Sequence, residues 1–361
     1  MIEPFEQETS KRWSIAGSGV VGGAVIEMLA KEGVAARHGL NPDPDFVLRT
    51  DGWHRGGREG HLTGIEPTEL PPDTDVLFVA TAPTVDDEPT YSLIKRQLGQ
   101  EKTVITAEKT SLAENFSELT SLPGQLGYWA TVGGGARLIP SLELFTLDPE
   151  NVREIHIAPN ATLTFIFGMV QKGSTLVEAV ELAEKAGLVE PGDFGLTDEL
   201  HIIQKEAKLD VPRKISILWN TIFPHLEPMP ADALPTELDN DETLEAIRRV
   251  RSYRYLVSLY PETEAALAKK GNKGRIGGFK HYHAGCVAIG GCQRGDKSTL
   301  QRNFRNSRGP QGGYYIRLGA EGEQEDDGVY GSIGVSAGAR ATATAMLDNL
   351  IHIRRSLGQL P

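Results

Sequence analysis

Arg12-Trp13-Ser14-Ile15-Ala16-Gly17-Ser18-Gly19-Val20-Val21-Gly22 decides how this chain is read. A short apolar run ends in glycines spaced GxGxxG, and a helical stretch follows from about Val20 to Lys31. In a strand–turn–helix of this kind the first glycine permits the tight turn. The second lets backbone approach a pyrophosphate, and the third lets the helix pack closely on the strand. The helix start offers N–H groups and a positive dipole end to phosphate. Gly17, Ser18, Gly19, Val20, Val21 and Gly22 are therefore candidate cofactor-binding positions; the bland alternative is a tight turn that binds nothing.

Working outward, Asp45–Arg49, Asp75–Thr81 and Thr103–Ala107 read as further strands separated by helical segments. Asp75–Thr81 is continuously apolar and stopped by Pro83, as expected of a strand buried on both faces. Buried strands alternating with helices predict a doubly wound parallel sheet. An NAD-specific second strand ends in an acidic residue that takes the ribose hydroxyls. Here Arg49 stands near that end, with Asp51 and Arg55 behind it. An arginine fork suits a 2′-phosphate, so the expected cofactor is NADP, with NAD possible.

The pattern changes at Tyr128–Pro140, where three consecutive glycines sit between apolar segments; the main boundary is placed here. Residues 1–130 are expected to form a dinucleotide-binding domain, with a closing Ala-rich helix at about 339–358 packed back on it. Residues 131–338 are expected to form the second, α+β domain for substrate binding and dimerisation. That part contains a strand candidate at Val152–Ile157, helices around Leu163–Gln171 and Leu176–Ala186, and a buried helix at Val211–Asn220. Gly271–Gly331 is glycine-rich and aperiodic, and reads as either a long functional loop or edge strands.

With 37 basic against 49 acidic residues, the net charge of −12 argues against a generic nucleic-acid binder. An anionic ligand needs local cations instead. At 39% hydrophobic and 24% charged, the chain can bury a sizeable core. No apolar run approaches a membrane span, and the acidic, polar N-terminus shows no signal-peptide core, so a cytoplasmic setting is expected. Cys286 and Cys292 are too few for a disulfide framework. His281, His283 and Cys286 suggest a metal cluster, but no fourth ligand has suitable spacing, and both cysteines read better as buried small residues.

Six segments in order resemble the homoserine dehydrogenase family, in its short form without an ACT domain. They are GSGVVGGAV, TVITAEKTSLA, ATVGGGARLIP, NATLTFIF, the pair AGLVEPGD and LDVPRK, and GVSAGARATATAML. The resemblance implies a Rossmann-type first domain, a homodimer, a role in threonine and methionine biosynthesis, and interconversion of L-aspartate 4-semialdehyde and L-homoserine. It places the acid–base lysine at Lys214, its carboxylate neighbour at Asp210, and a lysine near nicotinamide and substrate at Lys109. Glu190 matches the carboxylate that meets the substrate amino group. Thr162, Gly187 and Gly338 match pocket-lining positions, and Thr81 matches a cofactor contact.

The chemistry is sensible by itself. Hydride transfer to an aldehyde builds negative charge on oxygen, which a positioned cation and proton donor must relieve. Asp210 and Lys214 lie one helical turn apart. Their bland readings are a helix cap, with Pro212 in the first turn, and an ordinary surface pair.

The chain also departs from the family. Glu108 replaces the asparagine before Lys109, bringing a negative charge near the nicotinamide. Trp129 replaces a glutamate that helps hold a structural sodium ion in many members, leaving only backbone carbonyls near Val132, Gly134 and Ala136; a firm sodium site is not expected. Glu190 and Asp210 are nineteen residues apart by number of intervening positions, more than usual, and the family's additional aspartate has only Asp198 as a candidate. Arg137 follows the glycines, where it could select a substrate with a second carboxylate. Two further readings stay open: a sister oxidoreductase acting on a different small aldehyde or alcohol, and a catalytically silent NADP-binding regulator.

Overall fold

The computed structural model describes residues 10–56, 60–82, 88–143, 152–189, 199–232, 253–261, 275–283, 286–294, 311–318 and 328–360. The chain divides into two compact units, Met1–Thr131 with Ala339–Pro361, and Val132–Gly338.

The first unit is built on strands β1 (Trp13–Ala16), β2 (Phe46–Arg49), β3 (Gly52–Arg55), β4 (His61–Leu62), β5 (Val76–Val79), β6 (Thr103–Thr106) and β7 (Gln125–Gly127). Their order in the sheet is β4-β3-β2-β1-β5-β6-β7. The run from β2 to β7 is parallel, and β3 and β4 are added antiparallel at one edge. From β1 the chain goes first to β2 on one side and later to β5 on the other. The C-terminal end of β1 is thus the topological switch point, where open α/β sheets bind ligands. β1 and β5 are buried at every position, which explains their unbroken apolar reading. Trp13 and Phe78 meet edge to face at 5.4 Å across these strands.

Helix α1 (Val20–Leu29) packs against the closing helix, Ala339–Ser356, through Val25 and Leu29 on one side and Ala343, Met346 and Leu350 on the other. The closing helix is fixed at its far end by Arg354, 3% exposed, whose Nη1 donates to the carbonyls of His38 (3.0 Å) and Gly39 (2.6 Å). Between the sheet strands lie α2 (Val34–Arg37), α3 (Glu88–Gly99), α4 (Thr110–Glu114) and α5 (Phe116–Ser121).

The second unit has an antiparallel sheet of β8 (Val152–Ala158), β9 (Tyr253–Pro261), β10 (Arg275–His283), β11 (Cys286–Arg294), β12 (Gln311–Leu318) and β13 (Gly328–Val335), ordered β10-β11-β9-β8-β12-β13. Its described helices are α6 (Leu138–Leu142), α7 (Ala161–Lys172), α8 (Leu176–Lys185), α9 (Glu199–Lys205) and α10 (Val211–Ile222), and the closing helix of the first unit becomes α11. Within Gly271–Gly331 the described residues form strands, of which β11 and β12 are interior to the described sheet and β10 and β13 stand at its edges. Glycine hid them. A Cβ at Gly331 would strike the Tyr315 ring, and one at Gly334 would lie 2.9 Å from Ala136 Cα, so close packing on this sheet excludes the side chains that make a strand legible. Among the described residues no helix is long and apolar enough to cross a membrane.

Candidate functional sites

In the first unit the glycine turn divides its labour. Gly17 has φ of +89°, and a Cβ there would lie 2.5 Å from the Ala80 carbonyl oxygen and 2.8 Å from Thr81 N. A Cβ on Gly22 would collide with the Gly17 carbonyl oxygen. Gly19 is different: nothing stands within 4 Å of where its Cβ would be. Two glycines therefore close the turn on β1 and β5, and the middle one faces open space. The fit to a dinucleotide pyrophosphate is good. Gly17, Val21 and Gly22 shape the turn, while Ser18, Gly19 and Val20 line a cleft of about 650 Å³. Thr81 lies with its backbone against Gly17.

Arg49 lines the same cleft, as do Glu27 and Arg340. Asp51 does not; it bonds His54 at 2.8 Å, which holds its carboxyl below the usual range. Arg55 lies over the Phe46 ring, 5.8 Å from its centroid.

Glu108, read as a charge beside the nicotinamide, is 2% exposed and turned onto the start of α4. Its carboxylate accepts from Thr110 N at 2.5 Å and Ser111 N at 2.9 Å, while Thr106 Oγ1 takes its own N–H. A carboxylate there satisfies orphan helix donors and complements the dipole. Lys109 follows directly, half-buried, at the N-cap position of α4. Trp129 stacks on His352 of α11 with centroids 4.8 Å apart, and its N–H donates to Asn349. The tryptophan thus docks a helix.

In the second unit the cluster centres on Asn160. It is 2% exposed and caps α7 through Oδ1, which accepts from Leu163 N at 2.7 Å. Its Nδ2 donates to Glu206 Oε2 at 2.5 Å and to Asp210 Oδ2 at 2.7 Å. That same Asp210 oxygen meets Lys214 Nζ at 2.5 Å, with the two side chains only 16% and 13% exposed.

Asp210 is not a helix cap: its φ and ψ are helical and it makes no cap bond. Nor is it an ordinary surface pair. A five-residue π-helical segment, Glu206–Asp210, joins α9 to α10, so the chain stays helical through the junction. Pro212 lacks an N–H but stands in the first turn of α10, where a proline is tolerated. Glu206 and Asp210, four residues apart, both reach the Asn160 amide.

Thr162 Oγ1 donates to Leu188 O at 2.8 Å. Gly187 ends α8 with φ of +68°, and Gly187 N to Glu184 O with Leu188 N to Ala183 O form a Schellman closure. Gly338 takes φ of +112° directly before α11. Glu190 and Asp198 lie outside the described residues, as do the side chains of His281, His283, Cys286 and Cys292; the backbone pairs His283 with Cys286 across β10 and β11. Of the carbonyls weighed for sodium, Gly134 O already accepts from Arg137 N at 3.0 Å and Ala136 O from Ser332 Oγ at 3.5 Å. Arg137 is exposed with φ of +51°. Among the described residues no three His, Cys, Asp or Glu side chains group as a metal site.

Sequence reasoning missed Asn160, Glu206 and Arg340. Asn160 was legible as a cap before an apolar run. Glu206 carried the same signal as Lys214, a four-residue spacing from Asp210 along one helical run.

No protein-family model matches the chain. Two curated proteins do: homoserine dehydrogenase of Pyrococcus horikoshii is 27% identical over 197 residues, 49% of this chain, and that of Sulfurisphaera tokodaii is 31% identical over 127 residues, 34% of this chain. The alignments span 61% and 40% of those relatives' own lengths. A solved structure of a hyperthermophilic archaeal homoserine dehydrogenase in complex with NADPH superposes with a TM-score of 0.66 at 20% identity, covering 96% of this chain and 98% of that one. The chain is similar to homoserine dehydrogenases. With homoserine dehydrogenase it shares the fold from end to end, although the sequence likeness to the curated relatives covers half of it or less.

Proposed function

We propose that this chain is an NADP(H)-dependent oxidoreductase of the homoserine dehydrogenase type, interconverting L-aspartate 4-semialdehyde and L-homoserine. The observation that carries the reading is the Lys214–Asp210 pair, held through one carboxylate oxygen by a buried asparagine. Bound NADP(H) supplies or accepts the hydride. Ser18, Gly19 and Val20 would hold its pyrophosphate, and Arg49 its 2′-phosphate. Lys214 holds a proton at Nζ for the oxygen that changes between aldehyde and alcohol. Asp210 fixes the position of the amine through their 2.5 Å contact. Glu206 and Glu190 are acceptors for a substrate ammonium group. A silent nucleotide-binding regulator would have no use for a nearly buried lysine–carboxylate pair.

The test is NADPH consumption by the purified chain against a panel of small aldehydes. Aspartate semialdehyde is expected to be turned over, and Lys214→Met to lower kcat at least about 100-fold, the low end for general acid–base catalysis, with the Kd for NADPH unchanged. A variant retaining wild-type kcat would refute the role of Lys214. A faster aldehyde bearing a second carboxylate would favour the sister-enzyme reading, for which exposed Arg137 is the motive.

A further inference from the structure

Resting on the reading of the cleft as an NADP(H) site, we propose that Arg340 is a second cationic arm beside Arg49 and helps set the preference for a 2′-phosphate. Arg340 is exposed, stands in the first turn of α11 and lines the same cleft as Arg49 and the glycine turn. Among the described residues that line it, the charged ones are Glu27, Arg49 and Arg340. With Arg340 the lining carries one net positive charge; without it, none. Arg49 also has a competitor for its charge in nearby Asp51, whose carboxyl it helps to hold low.

The helix itself gives Arg340 no reason to be there. A cation in a first helical turn opposes the macrodipole, whereas Arg354 and Arg355, in the last turn of α11, complement it. The cleft does give a reason. A phosphate monoester carries about −1.5 to −2 charge near neutral pH and three acceptor oxygens. One planar guanidinium engages two of them, so a second arm has both charge and acceptor left to meet. The first residues of α1 and α11, Val20 and Ala339, line the cleft too, adding two positive helix ends to the two arginines.

The test is fluorescence titration of the full chain with NADPH and with NADH, for wild type, Arg340→Ala, Arg340→Lys and Arg49→Ala, with circular dichroism to confirm folding. Arg340→Ala should raise the Kd for NADPH about tenfold and that for NADH less than about twofold, as loss of one charge-assisted phosphate contact would. Arg340→Lys should recover part of the loss, since lysine keeps the charge without the fork. Equal losses for both dinucleotides would overturn the proposal by placing Arg340 on the pyrophosphate. No loss for either would place it in solvent and overturn it too. An Arg49→Ala effect confined to NADPH, with Arg340→Ala silent, would sink the role of Arg340 and leave the cofactor reading standing. A wild-type chain that binds neither dinucleotide would remove both.

Discussion

Asn160 is where several demands meet in one side chain. Its oxygen caps α7 and its amide nitrogen bridges two carboxylates that would otherwise repel. Asn160→Ala should lose the cap, worth about 1 kcal/mol, and leave both carboxylates short of a donor, for a total of about 2–3 kcal/mol in a urea melt. It should also lower kcat, because Asp210 would no longer be aimed at Lys214. A loss of stability near 1 kcal/mol with kcat untouched would reduce Asn160 to a cap. Arg137 carries the opposite expectation. Its left-handed backbone costs an L-residue about 1–2 kcal/mol, so Arg137→Gly should stabilise the chain by up to about 1 kcal/mol after glycine's own entropy cost. If Arg137 also selects substrate, that gain comes with a fall in kcat/KM for acidic substrates, and the two measurements together decide it. At this scale Lys214 and Asp210 were legible because a four-residue spacing on a helix puts them on one face. Glu206 stands at the same four-residue spacing before Asp210 and was legible by the same rule, but it was passed over.

At the scale of elements, the buried strands of the first unit were legible; short or glycine-rich strands were not, and neither was β9, although it is long, apolar and free of glycine. β1, β5 and β6 announce themselves as apolar runs, but β4 has two exposed residues and β7 only three in all, too few for any pattern. β10 to β13 were hidden by glycines and by a register shift between Ile276 and Phe279. The glycine turn was legible because its spacing answers two steric demands, at Gly17 and Gly22, and leaves Gly19 open between them. A long-range lock such as Arg354 on the His38 and Gly39 carbonyls had no local trace, since it joins positions more than 300 residues apart. This lock has a pH dependence. His38 is 7% exposed and bonds Val34 O through Nδ1 at 2.8 Å. Burial pushes its pKa below the ordinary value of 6.5; Arg37 and Arg354 push the same way, while the Val34 carbonyl and Asp348 oppose. The folded chain thus binds this proton less readily than the unfolded one. The stability from neutral His38 is complete above about pH 6.5 and is lost as pH falls through the lowered folded value, at no more than about 1.4 kcal/mol per pH unit. Urea melts at pH 7.5 and 5 should show a larger drop for the wild type than for His38→Gln. Equal drops would show that this histidine does not matter.

For the whole molecule the issue is how a chain with a net charge of −12 would hold the anionic cofactor proposed for it. At physiological salt the field of remote carboxylates is screened beyond about 8 Å, so binding is decided by the lining of the cleft. Ligand that binds only the folded state stabilises by RT ln(1 + [L]/Kd), about 2.7 kcal/mol at one hundred times Kd. For a unit of the size of the first one this is about 5–10 °C in melting temperature. NADPH should therefore raise the melting transition in calorimetry by about that much, and the same concentration of NADH by less, in proportion to the extra phosphate contact. Because the described residues that line the cleft all belong to the first unit, a chain whose two units melt separately should show the shift in only one transition. A single transition that moves as a whole would mean the units unfold together. Arg49→Ala should erase the difference between the two cofactors without erasing the NADH shift. Equal shifts for NADPH and NADH in the wild type would show that the arginine at the end of β2 does not read the 2′-phosphate, and the preference for NADP(H) would fall with it.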